Sequence, residues 1–326
     1  LVAFGRLEGV ATGDTIQAEG EPAAPCPWDP PLAPLFALAL SAEKKGDDVK
    51  LSSALTKLTE EDPSLALEHS PFGELIQRGQ GEIHLQVAID RLKSRFNMAV
   101  RTRKPTVPYK ETIRKPTSVH GRHKKQSGGH GQFGDVHLDI APLPRGAGFQ
   151  FVDKVVGGVV PRQYIPAVEQ GVAEFLSQGP LGFPVVDLAV TLTQGSYHSV
   201  DSSDMAFKTA ARIAMAEGLP QCEPVLLEPI LAVEISVPSE YTAKAQRVVS
   251  GRRGQILGYD AKPGWPGWDT VAAHLPQAEM DDLIIELRSL TMGVGTFAWS
   301  FDHLQELSGR VADRVIEARK EALAVA

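Results

Sequence analysis

The chain has 326 residues, 43% of them hydrophobic and 22% charged, with a net charge of −7. That length suits two or three domains of an ordinary globular protein, and no apolar run is long enough to cross a membrane. Two cysteines, Cys26 and Cys222, exclude a disulfide framework and a zinc knuckle, and no secretory leader pattern opens the chain, so a cytoplasmic location is expected.

In chain order, LVAFGRLEGVATGDTI reads as two short strands around a Gly13-Asp14 turn, the end of a β-domain already under way. With Leu1 in first place, a fragment of a longer protein is expected. Six prolines between Pro22 and Pro34 predict a stiff linker over 22–34. Residues 35–104 predict strand, helix, strand, strand, helix, strand. LFALAL is the first strand. Asp47 or Asp48 caps a helix carrying Leu51, Leu55 and Leu58, which ends at Asp62-Pro63. Short strands follow at Ser64–His69 and Glu74–Arg78. A helix then carries Leu85, Ile89, Leu92 and Phe96, and Met98–Arg103 is the last strand. Two helices on one side of a four-stranded antiparallel sheet make a ferredoxin-like sandwich.

Residues 105–223 begin with strands. Val136, Leu138 and Ile140 alternate on one face, and Pro161 opens a helix with Ile165, Val168, Val172 and Phe175 on its apolar side. Alternation at Val186, Leu188, Val190 and Leu192 predicts a strand. The loop GSYHSVDSS, residues 195–203, joins it to a helix with Met205, Ala206, Thr209, Ala210, Ile213 and Ala214 at helical spacing, closed by Gly218. Asp201, Ser202 and Ser203 are N-cap types there. Residues 224–302 repeat the first order: LLEPILAVEISV, a Ser239-capped EYTAKAQRVV, GQILGYD, DTVAAHL, EMDDLIIELRSL and GTFAWSF. A terminal amphipathic helix is predicted within 303–326. The expected class is multidomain α+β, with two similar sandwiches flanking a different domain.

Charge is unevenly spread. Between Arg101 and Gln132 nine Lys/Arg face one acid, Glu111, so that window carries +8 and the rest of the chain −15. One basic projection on an acidic body suggests a local polyanion contact.

GGHGQFG holds a literal G-x-G-x-x-G at Gly129, Gly131 and Gly134. A dinucleotide site needs a strand before it and a helix after it, whereas strand follows here. The better reading is a glycine-rich basic loop whose N–H groups and Lys124 and Lys125 meet phosphates. His120, His123, His130 and His137 fit no compact ligand set, and no cysteine or carboxylate joins them in that reading, so solvated or phosphate-facing rings and no metal site are expected. The sequence contains no G-x-x-x-x-G-K-[ST] and no G-x-S-x-G, and no catalytic residue is assigned. Tyr197 and His198, read alone, are surface-loop residues.

Together the segments resemble the C-terminal part of translation elongation factor G. LTEEDPSL and GQGEIHLQVAIDRLKSRF resemble its third domain. KPTVPYKETIRKP, HKKQSGGHGQFGDV, GGVVPRQYIPAVEQG, GPLGFPVVD and GSYHSVDSSDMAFKTAARIA resemble its fourth. CEPVLLEPILAVEISVPSEY, GRRGQILG and LRSLTMGVGTF resemble its fifth. The resemblance implies the end of a β-barrel second domain at 1–21, a linker at 22–34 and a ferredoxin-like third domain at 35–104. It further implies a tip-bearing fourth domain at 105–223, similar to the ribosomal protein S5 domain 2-like fold, a ferredoxin-like fifth at 224–302 and a C-terminal helix at 303–326. In the family the fourth domain is an arm reaching the decoding region of the small ribosomal subunit. Its RNA-binding tip corresponds to Lys124, Lys125, Gln126, Ser127, Gly128, Gly129, His130, Tyr197, His198 and Ser199, with His198 matching the tip histidine near the codon–anticodon duplex. Arg252, Arg253 and Arg288 are candidates for a large-subunit RNA contact.

The partners implied are therefore the ribosome, through rRNA of both subunits and tRNA–mRNA, with no membrane and a monomeric protein. GTP and Mg2+ belong to an N-terminal domain absent from this sequence, whose full-length parent would be the GTPase. Three departures, namely Val294 where a basic residue is usual, the KPGWPGWD turn with Trp265 and Trp268, and Gln80 in place of methionine, point to a divergent elongation factor G-like paralogue. Two readings stand: a factor promoting tRNA–mRNA translocation, or a ribosome-binding factor of the ribosomal-protection or recycling type that does not translocate.

Overall fold

The computed structural model describes residues 31–44, 46–126 and 131–325, together with 5, 9, 10, 12–17 and 24. The two strands expected in 1–20 and the linker at 22–34 lie mostly outside the described residues. Those described there show a turn at Thr12-Gly13, and residues 14–17 and 31–34 form no strand or helix.

The first segment contains β1 (Phe36–Ala42), α1 (Asp48–Glu61), β2 (Ala66–His69), β3 (Leu75–Gly79), α2 (Glu82–Phe96) and β4 (Val100–Arg103). The second contains β5 (Lys110–Ile113), β6 (Thr117–Lys125), β7 (Gln132–Pro142), β8 (Phe149–Asp153), α3 (Ile165–Leu176), β9 (Leu188–Ser196) and α4 (Asp204–Gln221). The third contains β10 (Pro224–Pro238), α5 (Thr242–Gly251), β11 (Gln255–Ala261), β12 (Trp268–Pro276), α6 (Leu283–Leu290), β13 (Thr296–Leu307) and α7 (Gly309–Val325). These pack as two units, one of residues 1–107 and 231–300 and one of 108–230 and 301–326.

The first unit holds both expected sandwiches. Its sheets run β2-β3-β1-β4 and β11-β12-β10-β13, the same order for two βαββαβ segments. Leu51, Leu55 and Leu58 of α1 and Leu85 and Leu92 of α2 are buried against the first sheet, while Ile89 and Phe96 are only partly covered. Two expected caps are not made. Asp47 occupies the N-cap of α1 without bonding a helix N–H, because its carboxylate accepts from Lys50 Nζ at 2.9 Å. Ser239 lies one turn before α5 and donates to Asp269 Oδ1 at 2.9 Å instead.

The second unit is built on the sheet β6-β7-β9-β8, with β8 parallel to β9 and the other pairs antiparallel. Helices α3 and α4 cover it, and Val136, Leu138, Ile140, Val168, Val172, Val190, Leu192 and Phe207 are buried between. The strand expected from Val186 starts at Leu188, because Asp187 takes a positive φ of 60° and accepts Gly148 N–H at 2.9 Å. That left-handed residue breaks the alternation, so Val185 is buried instead of Val186. The buried face of α4 is also not the one expected. Met205 and Ile213 are exposed, and Ala206, Phe207, Ala210, Ala211, Ala214, Met215 and Leu219 face the sheet. Gly218 does not close α4. A side chain there would meet Ile140 and Val119 at 2.8 and 2.9 Å, so it is a point of close approach inside a helix that runs to Gln221. The start of β10 pairs with β5, and Glu306 of β13 bonds Arg114 at 2.6 Å and Arg145 at 2.9 Å. The Arg114 guanidinium holds the Glu306 carboxyl below its usual range.

Candidate nucleic-acid interface

The two loops singled out in the sequence meet at one end of the second unit. Lys125 and Lys124 end β6, paired with Gln132 and Phe133 of β7, and both lysines and Gln126 are exposed. Ser127, Gly128, Gly129 and His130 lie outside the described residues. From the other side, β9 ends at Ser196, and Tyr197, His198 and Ser199 are all exposed before α4 begins at Asp204. Ser203 is the cap of that helix, its Oγ accepting Ala206 N–H at 3.2 Å. The positive end of α4 therefore opens beside the loop.

The loops are tied together by Asp201, Ser202 and Phe133, which the sequence did not single out as site residues. Asp201 Oδ1 accepts Gly131 N–H at 3.0 Å, and the Asp201 carbonyl accepts Phe133 N–H at 2.8 Å. Ser202 Oγ donates to the Phe133 carbonyl at 3.0 Å and accepts His198 N–H at 2.9 Å. The ring of His198 is seated as well. Its Nδ1 lies 3.2 Å from Asp201 N and 3.2 Å from Asp201 Oδ2. A neutral Nδ1 accepts the amide proton and a protonated one donates to the carboxylate, so either form leaves Nε2 for an external partner. Phe133 lies 6.4 Å from that ring, ring centre to ring centre, and carries the Arg122 guanidinium at 5.4 Å on its face.

Two glycines of G-x-G-x-x-G, Gly131 and Gly134, serve packing. A Cβ on Gly131 would meet the Asp201 carboxyl at 2.8 Å, and one on Gly134 would meet the Ala206 carbonyl oxygen at 2.4 Å. Two strands and a helix can close up only where these side chains are missing. The strand that follows Gly134 confirms that no dinucleotide fold is present there.

The remaining candidates are in the first unit. Arg252 is held by Glu286 at 2.6 Å and by the Glu279 carbonyl at 2.6 Å, and Arg253 by Glu279 Oε1 at 2.8 Å. Arg288 donates to the Gln80 carbonyl. Gln80 itself donates to the Leu32 and Ala33 carbonyls at 2.6 and 3.1 Å, an anchorage that methionine could not make. Val294 is exposed in its turn, and Trp265 packs edge-on against Trp268 at 5.1 Å with Lys262 over its face at 4.1 Å.

One expectation about histidines is overturned. A carboxylate does join two of them: Asp135 lies 3.2 Å from His120 Nε2 and 3.9 Å from His137 Nε2. Strand register, which spacing does not show, places the three on one face.

Comparison with known proteins decides the lineage. Residues 32–104 match the family described as elongation factor G, domain III, residues 105–223 match elongation factor G, domain IV, and residues 225–315 match the elongation factor G C-terminus. This chain belongs to the elongation factor G family. An elongation factor G-like protein of Synechocystis sp. is 58% identical over 313 residues, which are 96% of this chain and 46% of that protein. A crystal structure of a protein from Thermus thermophilus aligns with a TM-score of 0.80 at 38% identity, over 94% of this chain and 46% of that one. The elongation factor G-type multidomain α+β fold is therefore established, and the chain spans about half the length of the relatives it matches. Among the described residues no helix is long and apolar enough to cross a membrane.

Proposed function

We propose that this chain is the ribosome-contacting part of an elongation factor G-like translational GTPase that promotes tRNA–mRNA movement, with the β6–β7 and β9–α4 loops directed at decoding-region RNA. The observation that carries the reading is the locked tip: Asp201 ties its own loop to Gly131 and engages His198 through Nδ1, leaving Nε2 free of those contacts, while Lys124 and Lys125 stand exposed at the end of the neighbouring hairpin strand. A planar group with donor and acceptor capacity suits phosphates and 2′-hydroxyls, and the lysines supply charge. In this proposal GTP and Mg2+ belong to the part of the longer relatives that the chain does not span, in keeping with a sequence that holds no phosphate-binding loop motif.

The direct test is ribosome binding as a function of salt. Replacing Lys124 and Lys125 with Gln removes two phosphate-pairing charges, so the log–log salt slope is expected to shrink by roughly one to two units. An unchanged slope in a sedimentation assay would take the tip away from RNA.

A further inference from the structure

His120 of β6 and His137 of β7 are directly paired across the antiparallel ladder, and the next pair on the same face is Arg122 with Asp135. Side chains of paired residues, and of residues two apart, share a face, so both imidazoles and the carboxylate converge. Asp135 is nearly buried, its side chain 10% exposed, while the rings of His120 and His137 stand at 47% and 40%. The two Nε2 atoms face different oxygens of the one carboxylate, at 3.2 and 3.9 Å, and all three ligand atoms lie within 4.8 Å of one another.

We propose that His120, Asp135 and His137 form a binding site for a divalent transition-metal ion of the zinc class. Bond lengths of about 2.0–2.2 Å in a tetrahedral shell put neighbouring ligand atoms about 3.3–3.6 Å apart; His120 Nε2 already stands 3.2 Å from Asp135 Oδ2, and His137 Nε2, 3.9 Å from the other oxygen, needs only side-chain rotation to close on the same ion. Two imidazoles and a carboxylate are a first-row transition-metal set, not a calcium or magnesium set. The three residues sit on paired strands of a four-stranded sheet, so no backbone movement is needed to assemble them. The exposed side leaves the fourth position to water. The rings now stack at 4.2 Å and 4°, and the ion draws them apart by rotation about χ2, a soft torsion. Arg122 does not block the site. Its Nε forms a long ion pair with Asp135 Oδ2 at 3.6 Å, and its guanidinium also rests on Phe133, so a bound ion would displace a weak pairing that leaves the arginine a second seat. The proposal stands on these residues alone and does not depend on ribosome binding.

The test uses the whole chain, stripped with a chelator and titrated with Co2+ and then with Zn2+ against a competing dye. One Co2+ per chain is expected, with the visible absorption of a four-coordinate nitrogen–oxygen site, displaced by one Zn2+. His120→Gln and His137→Gln, both at partly exposed positions, are each expected to weaken Zn2+ binding by no less than roughly 10–100-fold, the range for losing even a supporting partner of a ligand. His123→Gln serves as the control, because His123 bonds Gln132 at 2.9 Å and stands outside the cluster; it is expected to bind like the parent. Far-UV circular dichroism of the variants shows that the sheet is intact. Failure to take up a stoichiometric ion, or uptake unchanged by both His120→Gln and His137→Gln, overturns the proposal.

Discussion

Glu111 offers the sharpest test of the energetics. Its carboxylate is fully buried in the second unit and accepts Leu181 N–H at 3.0 Å and Phe183 N–H at 3.0 Å, and among the described residues no cation pairs with it. Two effects oppose each other. Burial favours the neutral acid, and the backbone N–H groups favour the anion. Burial wins, and the carboxyl is pushed up from 4.5 to about 7. At about 1.36 kcal/mol per unit, the folded state then holds this proton about 3 kcal/mol more tightly than the unfolded state. A raised carboxyl contributes stability that is fully present below about pH 4.5 and is lost as pH rises through about 7.

Glu111→Gln keeps the shape and removes the titration. Because the amide NH2 of Gln cannot accept one of the two backbone N–H groups, the variant starts below the parent at pH 5 by about 1–3 kcal/mol, and its stability relative to the parent is expected to rise by up to about 3 kcal/mol between pH 5 and pH 8. Urea unfolding followed by far-UV circular dichroism from pH 5 to 8 measures this. Every tryptophan of the sequence falls within 1–107 or 231–300, so tryptophan fluorescence reports the other unit and serves as an internal control. A stability difference between variant and parent that stays constant from pH 5 to 8, or that moves against the variant, would refute the reasoning, because the N–H cradle would then outweigh desolvation.

Three further outcomes are expected. Gly134→Ala places a Cβ 2.4 Å from the Ala206 backbone oxygen and should cost about 1–3 kcal/mol of urea-unfolding stability; an unchanged midpoint would show that α4 can retreat freely from β7. Asp201→Ala should leave the sheet intact but speed amide exchange at Gly131 by roughly five- to thirtyfold, an opening made easier by about 1–2 kcal/mol; unaltered protection there would mean that the loops are held by other contacts. His198→Ala should change stability by within about 0.5 kcal/mol and, in the longer protein, slow tRNA–mRNA movement a few-fold, on the order of 1 kcal/mol. His198→Lys should not restore the rate, since an ammonium has no acceptor nitrogen. A normal single-turnover rate in His198→Ala would reduce the histidine to a surface residue.

The sandwiches were legible because their information is local. Leu51, Leu55 and Leu58 recur at helical spacing, and the two βαββαβ orders repeat, so periodicity alone names the elements. Where the reading slipped, a non-local contact had overridden periodicity. Asp187 turns left-handed to reach Gly148 and displaces the strand start. On α4 the alanines together with Phe207, Met215 and Leu219, not Met205 and Ile213, face the sheet, and small residues are needed at the closest points, because Gly121 and Gly134 let the helix approach until a Cβ would touch its backbone at 2.2 and 2.4 Å. A hydrophobicity pattern scores large apolar side chains, whereas this interface selects for small ones.

The same limit applies to the sites. Lys124, Lys125, Tyr197 and His198 could be named from charge and from family resemblance, since each is a property of a single segment. Asp201 could not, because its role depends on Gly131, seventy residues away in sequence. His120 and His137 were dismissed as ligands on spacing, with no carboxylate seen to join them, and strand register is what adds Asp135: shifting the β6–β7 pairing by one residue would turn His120 or His137 to the opposite face. The β6–β7 hairpin thus binds its two clusters to one register. The pairing that sets Asp135 between His120 and His137 also sets Phe133 opposite Lys124 and brings Gly131 to Asp201, so a slip that dismantled the histidine cluster would unlatch the tip as well.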